Sequence, residues 1–343
     1  GCLACEPACP SGVPYRDLIS PFRAEAQAKF TRPLIERLRR WLAAQTIPYP
    51  ARFRAAAIIG RAFYFLRPLI PRALRPMLDL IPATLPPAES WGEVTPAIGP
   101  RRARVALLTG CAQQVLAPDI NTATIAVLTQ QGVEVVVPRE QGCCGGLAWH
   151  TGDRKAAQAF ARCNLAAFPT EVDAILTNAA GCGSAMHEYH LILSGTPDEA
   201  RAEAFRHRVQ DVSLFLAKLG WRQPTDSPQK KLRVAYHDAC HLAHAQGVRE
   251  APRRLLQAAG LEVLEPREWE LCCGSAGTYN LFQPEIAEAL GRRKAENLKA
   301  TGADLVATGN IGCLTQIQAY LDLPVLHTAE LLALLYEGKD PLA

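Results

Sequence analysis

The sequence of 343 residues lacks several features that would assign it to a common functional class. No run approaches the roughly 18 apolar residues that a membrane-spanning helix needs, so we expect no transmembrane segment. The G-x-G-x-x-G pattern, the P-loop and the G-x-S-x-G motif are absent, so nothing indicates nucleotide binding or acyl transfer. The formal net charge of +4 is too small to indicate a nucleic acid partner.

No charged segment followed by an apolar stretch resembles a secretory signal, so we expect a cytoplasmic protein. Hydrophobic residues make up 49% of the chain, which is enough for a buried core in two modules or one repeated module. The number of cysteines, 12, is unusually high. In a long chain without an export signal, this number indicates metal or redox chemistry rather than disulfides.

Composition divides the first third of the chain into two zones. Residues 1–14 carry three cysteines, whereas residues 15–104 carry none and hold sixteen Lys/Arg against six Asp/Glu. Apolar residues recur at helical spacing from Leu34 to Leu42, and we predict further short helices, broken by proline, at Arg52–Arg67 and Pro68–Ile81. We interpret residues 15–104 as a basic helical linker. Its helices pack on the rest of the protein or form a docking face for a partner subunit or an anionic membrane surface.

The chain from residue 105 onward repeats itself. Four blocks recur in the same order, at offsets between 128 and 131 residues. They pair Val105–Cys111 with Val234–Cys240, Gly132–Glu140 with Gly260–Glu268, Cys143–Gly145 with Cys272–Gly274, and Asp173–Cys182 with Asp304–Cys313. Because chance similarity would not keep the displacement so constant, we predict a duplicated domain, with one repeat at 105–232 and the other at 233–343.

Each repeat alternates apolar strands with helices, which is typical of a mainly parallel sheet covered on both faces. We predict strands at 104–109, 133–137, 174–177, 233–236, 261–264 and 305–308, and helices at 120–131, 153–168, 251–259 and 284–300. Gly132 and Gly260 end the first helix of each repeat. Functional groups gather at the carboxyl ends of parallel strands, so this α/β fold should bring the cysteines of each repeat together.

Four cysteines in each repeat are the candidate metal ligands. They are Cys111, Cys143, Cys144 and Cys182 in the first repeat, and Cys240, Cys272, Cys273 and Cys313 in the second. Four convergent thiolates suit an iron–sulfur cluster or zinc, and the pattern alone leaves zinc open in at least one repeat. Nearby glycines would let backbone amides approach the cluster. Cys163 has no counterpart in the second repeat, and we interpret it as a buried free thiol.

The first residues carry a separate signal. Cys2, Cys5 and Cys9, followed by Pro10, reproduce the last three cysteines of the bacterial ferredoxin run Cys-x2-Cys-x2-Cys-x3-Cys-Pro. We therefore interpret residues 1–14 as the end of a [4Fe–4S] ferredoxin-type domain, and we expect the rest of that domain upstream of this sequence. A disulfide or a zinc knuckle is the alternative for this segment.

Histidines are further candidates. His237, His241 and His244 surround Cys240, and His150 follows the first Cys-Cys-Gly turn. His187 and His190 follow Cys182 in the same way. Imidazole can ligate metal or carry protons to a quinone. Since none of these histidines recurs in both repeats, we interpret them as neighbours of the sites or surface residues rather than ligands.

The cysteine motifs resemble the cysteine-rich Cys-Cys-Gly domain family, to which one of the heterodisulfide reductase subunits belongs. Longer strings resemble the iron–sulfur subunits of glycolate oxidase (glycolate dehydrogenase). The strings are CPSGVPY (9–15), GCAQQVLAPDINTAT (110–124), GCCGG (142–146), GCGSAMHEY (181–189), LCCGSAGTYNL (271–281) and NIGCLTQI (310–317). The heterodisulfide reductase relatives carry a fifth cysteine in each repeat, where this sequence has Ala185 and Gln316. This departure favours ordinary four-thiolate [4Fe–4S] clusters, or one occupied and one vestigial site, over the unusual clusters of those relatives.

The resemblance implies an electron-transfer subunit without catalytic residues of its own. A flavin-containing partner subunit would oxidise glycolate to glyoxylate, and this chain would pass the electrons through [4Fe–4S] clusters to quinone or another membrane acceptor. Peripheral contact with the inner face of the plasma membrane would follow. Lactate, glycerol 3-phosphate or a heterodisulfide remain alternative substrates of the complex, and a zinc-bound structural or assembly subunit remains an alternative role.

Overall fold

The structure is a computed structural model that describes residues 1–223 and 232–342. The first sheet contains β1 (Val94–Thr95), β2 (Ala103–Leu108), β3 (Val133–Val136), β4 (Ala174–Thr177) and β5 (Val209–Asp211). The second contains β6 (Arg233–His237), β7 (Glu262–Leu264), β8 (Leu305–Thr308) and β9 (Val325–His327). The strand orders are β1-β3-β2-β4-β5 and β7-β6-β8-β9. Every pair is parallel except β1 with β3.

The helices cover both faces of the two sheets. In the first 104 residues they are α1 (Tyr15–Lys29), α2 (Leu34–Thr46), α3 (Pro50–Ala62), a 3-10 helix (Tyr64–Leu69) and α4 (Arg75–Asp79). The first repeat has α5 (Gln113–Leu116), α6 (Asp119–Gln130), α7 (Gly146–Thr151), α8 (Arg154–Ala167), α9 (Ala180–His187), α10 (Tyr189–Ile192), α11 (Glu199–Arg206) and α12 (Val212–Leu219). The second has a π-helix (His241–Ala245), α13 (Glu250–Ala258), α14 (Tyr279–Phe282), α15 (Pro284–Lys299), α16 (Ile311–Gln318) and α17 (Thr328–Tyr336).

The predicted α/β class with mainly parallel sheets is confirmed. Strands β2, β4, β6 and β8 are almost entirely buried apolar runs, as expected for strands covered on both faces. Gly132 and Gly260 follow α6 and α13 with φ of +80° and +89°, so the predicted glycine helix ends are also confirmed. The sequence analysis did not predict β1, β5 and β9, because strands of two or three residues outside the four repeated blocks leave too little pattern.

The two sheets share one hydrophobic core. Helix α6 packs against α17, and α12 packs against α13, which are equivalent pairs in the two repeats. Between them, side chains of β2 and β3 meet those of β6 and β8 in a single buried cluster that includes Leu107 and Tyr236. The predicted junction at 232/233 comes directly after residues 224–231, which lie outside the described residues. The repeats therefore fix each other's orientation through apolar burial.

The linker is helical, although its predicted boundaries were wrong. Instead of one helix over Arg52–Arg67, the structure has α3 and then a separate 3-10 helix that contains Pro68. Only α4 is helical within the predicted 68–81 segment. Proline lacks a backbone N–H and clashes with the carbonyl four residues before it, so Pro68 keeps the segment after α3 from continuing as an α-helix. In the described residues, no helix combines the length and the apolar character needed to cross a bilayer.

Candidate metal centre

The four predicted cysteines of the first repeat converge at the carboxyl edge of its sheet. Cys111 follows β2, Cys143 and Cys144 follow β3, and Cys182 lies in α9 after β4. The Sγ atoms of Cys143 and Cys111 are 3.5 Å apart. Further thiol hydrogen bonds join Cys143 to Cys144 and Cys144 to Cys182. We call this group the first site.

The second repeat builds an equivalent group at the matching edge. Cys240 follows β6, Cys272 and Cys273 follow β7, and Cys313 lies in α16 after β8. Thiol hydrogen bonds join Cys240 to Cys272, Cys272 to Cys273, and Cys273 to Cys313. We call this group the second site. Cysteines that lie far apart in the sequence are thus brought together by strand order alone.

The Cys-Cys-Gly turns direct backbone donors at sulfur. The amides of Gly145 and Gly146 donate to the Sγ atoms of Cys143 and Cys144 at 3.4 Å, and the amide of Gly274 donates to Cys272 Sγ at the same distance. Gly145 and Gly274 have φ of +80° and +91°, a conformation in which only glycine is unstrained. Amides directed at sulfur stabilise thiolates and the anionic clusters that thiolates hold.

Lowered and raised pKa values alternate between neighbouring thiols. A hydrogen bond from Cys143 lowers the pKa of Cys144 well below its usual value, whereas the bond to Cys144 raises the pKa of Cys182. In the second site, the bond from Cys240 lowers the pKa of Cys272 to about 2. Four clustered thiols cannot all ionise unless a cation replaces the remaining protons. Clustered soft donors with this charge requirement fit a thiolate-bound metal centre.

The side chains that hold the two turns differ. In the first repeat, Asn164 accepts from Gly142 N at 2.9 Å and donates to Cys143 O at 2.9 Å. In the second, the fully buried Lys294 donates through Nζ to Glu268 O at 2.7 Å. Burial lowers the pKa of Lys294, and the thiol of Cys273 acts against that shift. The sequence analysis missed both residues, although each lies in the predicted helix after its Cys-Cys-Gly turn.

One histidine that the sequence analysis interpreted as a neighbour of the sites lies among the thiols of the second site. His237 is the last residue of β6 and is 1% exposed. One ring nitrogen and the Sγ atoms of Cys273 and Cys313 all lie within 4.8 Å of one another. The available sequence signal was its position three residues before Cys240. His187 and His190 are half-buried, and His244 is buried against Trp269 at a ring-centroid separation of 5.6 Å.

A single cavity of about 870 Å³ separates the two sites. Its inner wall is formed by cysteines of both repeats: Cys111, Cys143, Cys144, Cys182, Cys240, Cys273 and Cys313. Its outer wall consists mainly of apolar side chains from α2 to α4, including Leu42, Phe53 and Met77. His150 and His241 also line it, with ring centroids 5.3 Å apart. Burial lowers the pKa of both imidazoles, so they are neutral there.

The three N-terminal cysteines are only partly connected to this arrangement. The Cys2 thiol lies near enough to the second site to contribute to the raised pKa of Cys240, behind larger effects from Cys272 and burial. Gly1 lines the cavity, and its carbonyl is 3.0 Å from His241 Nε2. Cys5 is exposed, and neither Cys5 nor Cys9 lines the cavity.

The prediction for Cys163 was wrong. Its thiol is exposed and donates to Glu140 O at 3.2 Å. Helix α8 buries Ala157, Ala161 and Asn164 against the first repeat, and Cys163 lies beside that face on the solvent side. Apolar character alone does not determine which side of a helix a cysteine occupies.

Fold and site together define a class: an α/β protein with two similar halves, each of which gathers four thiols beside a shared cavity. The family model for the cysteine-rich domain matches residues 105–187 and 234–318. The chain is 34% identical to the probable glycolate oxidase iron–sulfur subunit of Bacillus subtilis, over 97% of this chain and 80% of that one. The glycolate oxidase iron–sulfur subunit of Escherichia coli is also 34% identical, over 96% and 79%. The chain therefore belongs to the cysteine-rich Cys-Cys-Gly domain family, among the glycolate oxidase iron–sulfur subunits.

Another relative carries a different name. Lactate utilization protein A of Oceanobacillus iheyensis is 29% identical, over 68% of this chain and 98% of that one. The crystal structure of a hypothetical protein from Helicobacter pylori has a TM-score of 0.49 and 11% identity, over 82% of this chain and 58% of that one.

Proposed function

We propose that this chain is the iron–sulfur electron-transfer subunit of a glycolate oxidase complex. A flavin-containing partner subunit oxidises glycolate to glyoxylate, and this chain passes the electrons through [4Fe–4S] clusters to quinone at a membrane. The observation that carries the proposal is the convergence of four thiols in each repeat, seven of which line one shared cavity. The resemblance to the named iron–sulfur subunits supplies the substrate.

The donor set supports iron–sulfur clusters bound by Cys111, Cys143, Cys144 and Cys182, and by Cys240, Cys272, Cys273 and Cys313. Thiolates are the common protein ligands of such clusters. When bound, the clusters would supply one-electron redox chemistry. The protein contributes backbone amides directed at sulfur, which stabilise the negative charge that reduction adds.

The N-terminal segment supports a direction for the electrons. Cys2, with Cys5 and Cys9, matches part of a ferredoxin run, and Cys2 lies close to the second site. A ferredoxin-type cluster held in part by these cysteines would therefore neighbour the second site. Electrons from the flavin subunit would reach the repeats through that cluster.

The exposed side chains of the linker support an electron acceptor that lies in a membrane. Of the 20 large apolar side chains that are exposed in the described part of the chain, 16 lie between residues 13 and 69. Leu34 and Leu69 are among them, 79% and 81% exposed. The same zone carries the excess of arginine, which favours an anionic lipid surface at the inner face of the membrane. The apolar outer wall of the cavity, formed by α2 to α4, would then face a lipid-soluble quinone.

The metal content can be tested on protein purified anaerobically. We expect a brown protein with iron and acid-labile sulfide. Cys143→Ser should empty the first site and Cys272→Ser the second, so that each loses roughly half of the repeat-bound iron. Cys163→Ser is the matched control and should lose none, because its thiol lies outside both sites. A colourless protein that contains zinc alone would contradict the proposal and favour the structural role.

The electron path can be tested on the complex with its flavin subunits. Adding glycolate anaerobically should bleach the visible cluster absorbance. L-lactate is the parallel arm, because one relative is a lactate utilization protein. Bleaching by lactate but not by glycolate would identify lactate as the substrate of the complex and would still support electron transfer through this chain. No bleaching by either, in a complex whose flavin is reduced, would contradict the relay.

Membrane contact is measured separately by co-sedimentation with phosphatidylglycerol vesicles. Leu34→Glu and Leu69→Glu should weaken binding severalfold, since each places a charge on the apolar face. Ile286→Glu is the matched control, because Ile286 is 51% exposed on α15 outside the linker. Equal binding by all three variants would exclude the linker as the contact surface.

A further inference from the structure

The second site contains a buried imidazole that has no assigned role. Neither ring nitrogen of His237 makes a hydrogen bond of ordinary geometry among the described residues, and the polar group with which the ring interacts is the Cys313 thiol. The side chain is 1% exposed, so water does not satisfy it from the surface. A buried polar group without a partner is costly, and such groups mark functional positions when they occur in native proteins.

The surroundings of His237 indicate its partner. One of its nitrogens and the sulfurs of Cys273 and Cys313 form a group in which every pair of atoms lies within 4.8 Å. Neutral imidazole and thiolate are the two commonest ligand types for zinc, and both also ligate iron in iron–sulfur proteins. The nitrogen that lies beside these two sulfurs is therefore placed to bind the same metal as the two thiols.

The first repeat provides an internal comparison. In the two sheets, Leu108 pairs with Thr177 and His237 pairs with Thr308, so Leu108 and His237 occupy the same register position. Leu108 is buried and can donate no ligand. The backbone that directs a histidine at the second site thus directs an aliphatic side chain at the first, and the imidazole is not a requirement of the fold.

We propose that His237 is a metal ligand and that the second site is a cysteine–histidine centre, whereas the first site is bound by thiolates alone. This inference rests on the proposed function only in requiring a metal at the second site. A neutral imidazole adds a donor to a centre without adding the negative charge that a further thiolate would bring. Histidine ligation raises the reduction potential of iron–sulfur centres for that reason.

Pulsed EPR detects a nitrogen bound to a paramagnetic cluster through its hyperfine coupling. The experiment uses the reduced, iron-loaded protein with Cys143→Ser, so that the second site supplies the signal. We expect a strong ¹⁴N coupling there, and its loss in His237→Leu, which copies the first repeat. His241→Ala is the control and should keep the coupling, because that histidine lines the cavity outside the proposed ligand set.

His237→Cys separates ligation from a structural role. It should retain iron and lose the nitrogen coupling, since a thiolate replaces the imidazole. Persistence of the coupling in His237→Leu would overturn the proposal. So would its absence from a Cys143→Ser protein with iron in the second site.

A second probe separates this inference from the proposed function. If the protein assembles no iron–sulfur cluster, the proposed function fails, and the metal-free protein is titrated with Co²⁺. X-ray absorption at the cobalt edge then reports nitrogen and sulfur ligands. Loss of one nitrogen ligand between wild type and His237→Leu supports the inference without iron, and identical ligand sets overturn it.

Discussion

The two metal centres have the same backbone and different side chains around it. Both follow equivalent strands, and both use a left-handed glycine after paired cysteines. At three equivalent positions, the residue beside the first site is apolar or neutral and the residue beside the second is polar or charged. The pairs are Leu108 and His237, Asn164 and Lys294, and Ala179 and Asn310. Duplication thus preserved the position of the thiols, and divergence changed the electrostatic environment of each centre.

These three side-chain differences add donors or positive charge to the second site, although the first site has one more backbone amide that donates to sulfur. Asn310 Nδ2 donates to Cys313 Sγ at 3.3 Å. Lys294 contributes a cation near Cys273. Donors and cations near a cluster favour its reduced state, because reduction adds negative charge. We therefore expect the second site to have the higher reduction potential of the two.

The largest effect should come from the paired glycines. A Cβ at Gly274 would clash with the carbonyl oxygen of Ala287, whereas one at Gly145 would lie 3.3 Å from the oxygen of Ala157. Both positions also require positive φ, at about 1–2 kcal/mol for alanine. Gly274→Ala should cost more than about 4 kcal/mol and empty the second site, and Gly145→Ala only about 1–2 kcal/mol. Urea unfolding with iron analysis measures both. If both variants lost the same free energy of unfolding, the two glycine turns would not differ in how tightly they are packed.

A smaller effect is expected on the pH dependence of stability, and the group responsible lies in the first repeat. Burial raises the pKa of Glu188 to about 7, and Trp149 Nε1 donates to its carboxylate at 2.6 Å. The equivalent position in the second repeat is Ala319. A raised folded-state pKa contributes stability that is fully present below about pH 4.5 and is lost as pH rises through 7.

Glu188→Gln removes this group from the titration. At pH 8 the variant should therefore be more stable than wild type by up to about 3 kcal/mol, and at pH 4.5 by far less. Urea unfolding across that range is the measurement. Asp211 and Glu330, with pKa values raised to about 6 and 7, keep part of the slope in the variant. An unchanged pH profile would mean that Glu188 is ionised throughout.

The smallest effect on stability should follow Lys294→Met. It leaves the carbonyls of Glu268 and Trp269 without their ammonium donor, at about 1–3 kcal/mol. It should also lower the reduction potential of the second cluster, because a nearby positive charge is lost. Asn164→Met is the matched control, which should loosen the first turn and leave the second potential unchanged. Redox titration followed by EPR distinguishes the two; a shift in both clusters would argue for a general structural effect.

Much of the architecture could be predicted from particular residues. The recurrence of Val105–Cys111 as Val234–Cys240 predicted the duplication, and apolar runs such as Ala174–Thr177 predicted buried parallel strands. The exposure of Cys163 could not be predicted, because a mid-helix cysteine can face either side of a shallow apolar stripe. The shared core between the repeats was equally hidden, since both faces of a parallel sheet are apolar whichever element covers them.

The sequence by itself predicted the repeat, the fold class and the eight candidate thiols, because the alternation of strands with helices and the spacing of motifs can be recognised along the chain. Only the tertiary structure decided that the two thiol groups share one cavity and that His237 lies beside Cys313. These depend on how the repeats pack and on which side chain a strand turns toward its neighbours. Such contacts join residues far apart in the chain, and no local pattern records them.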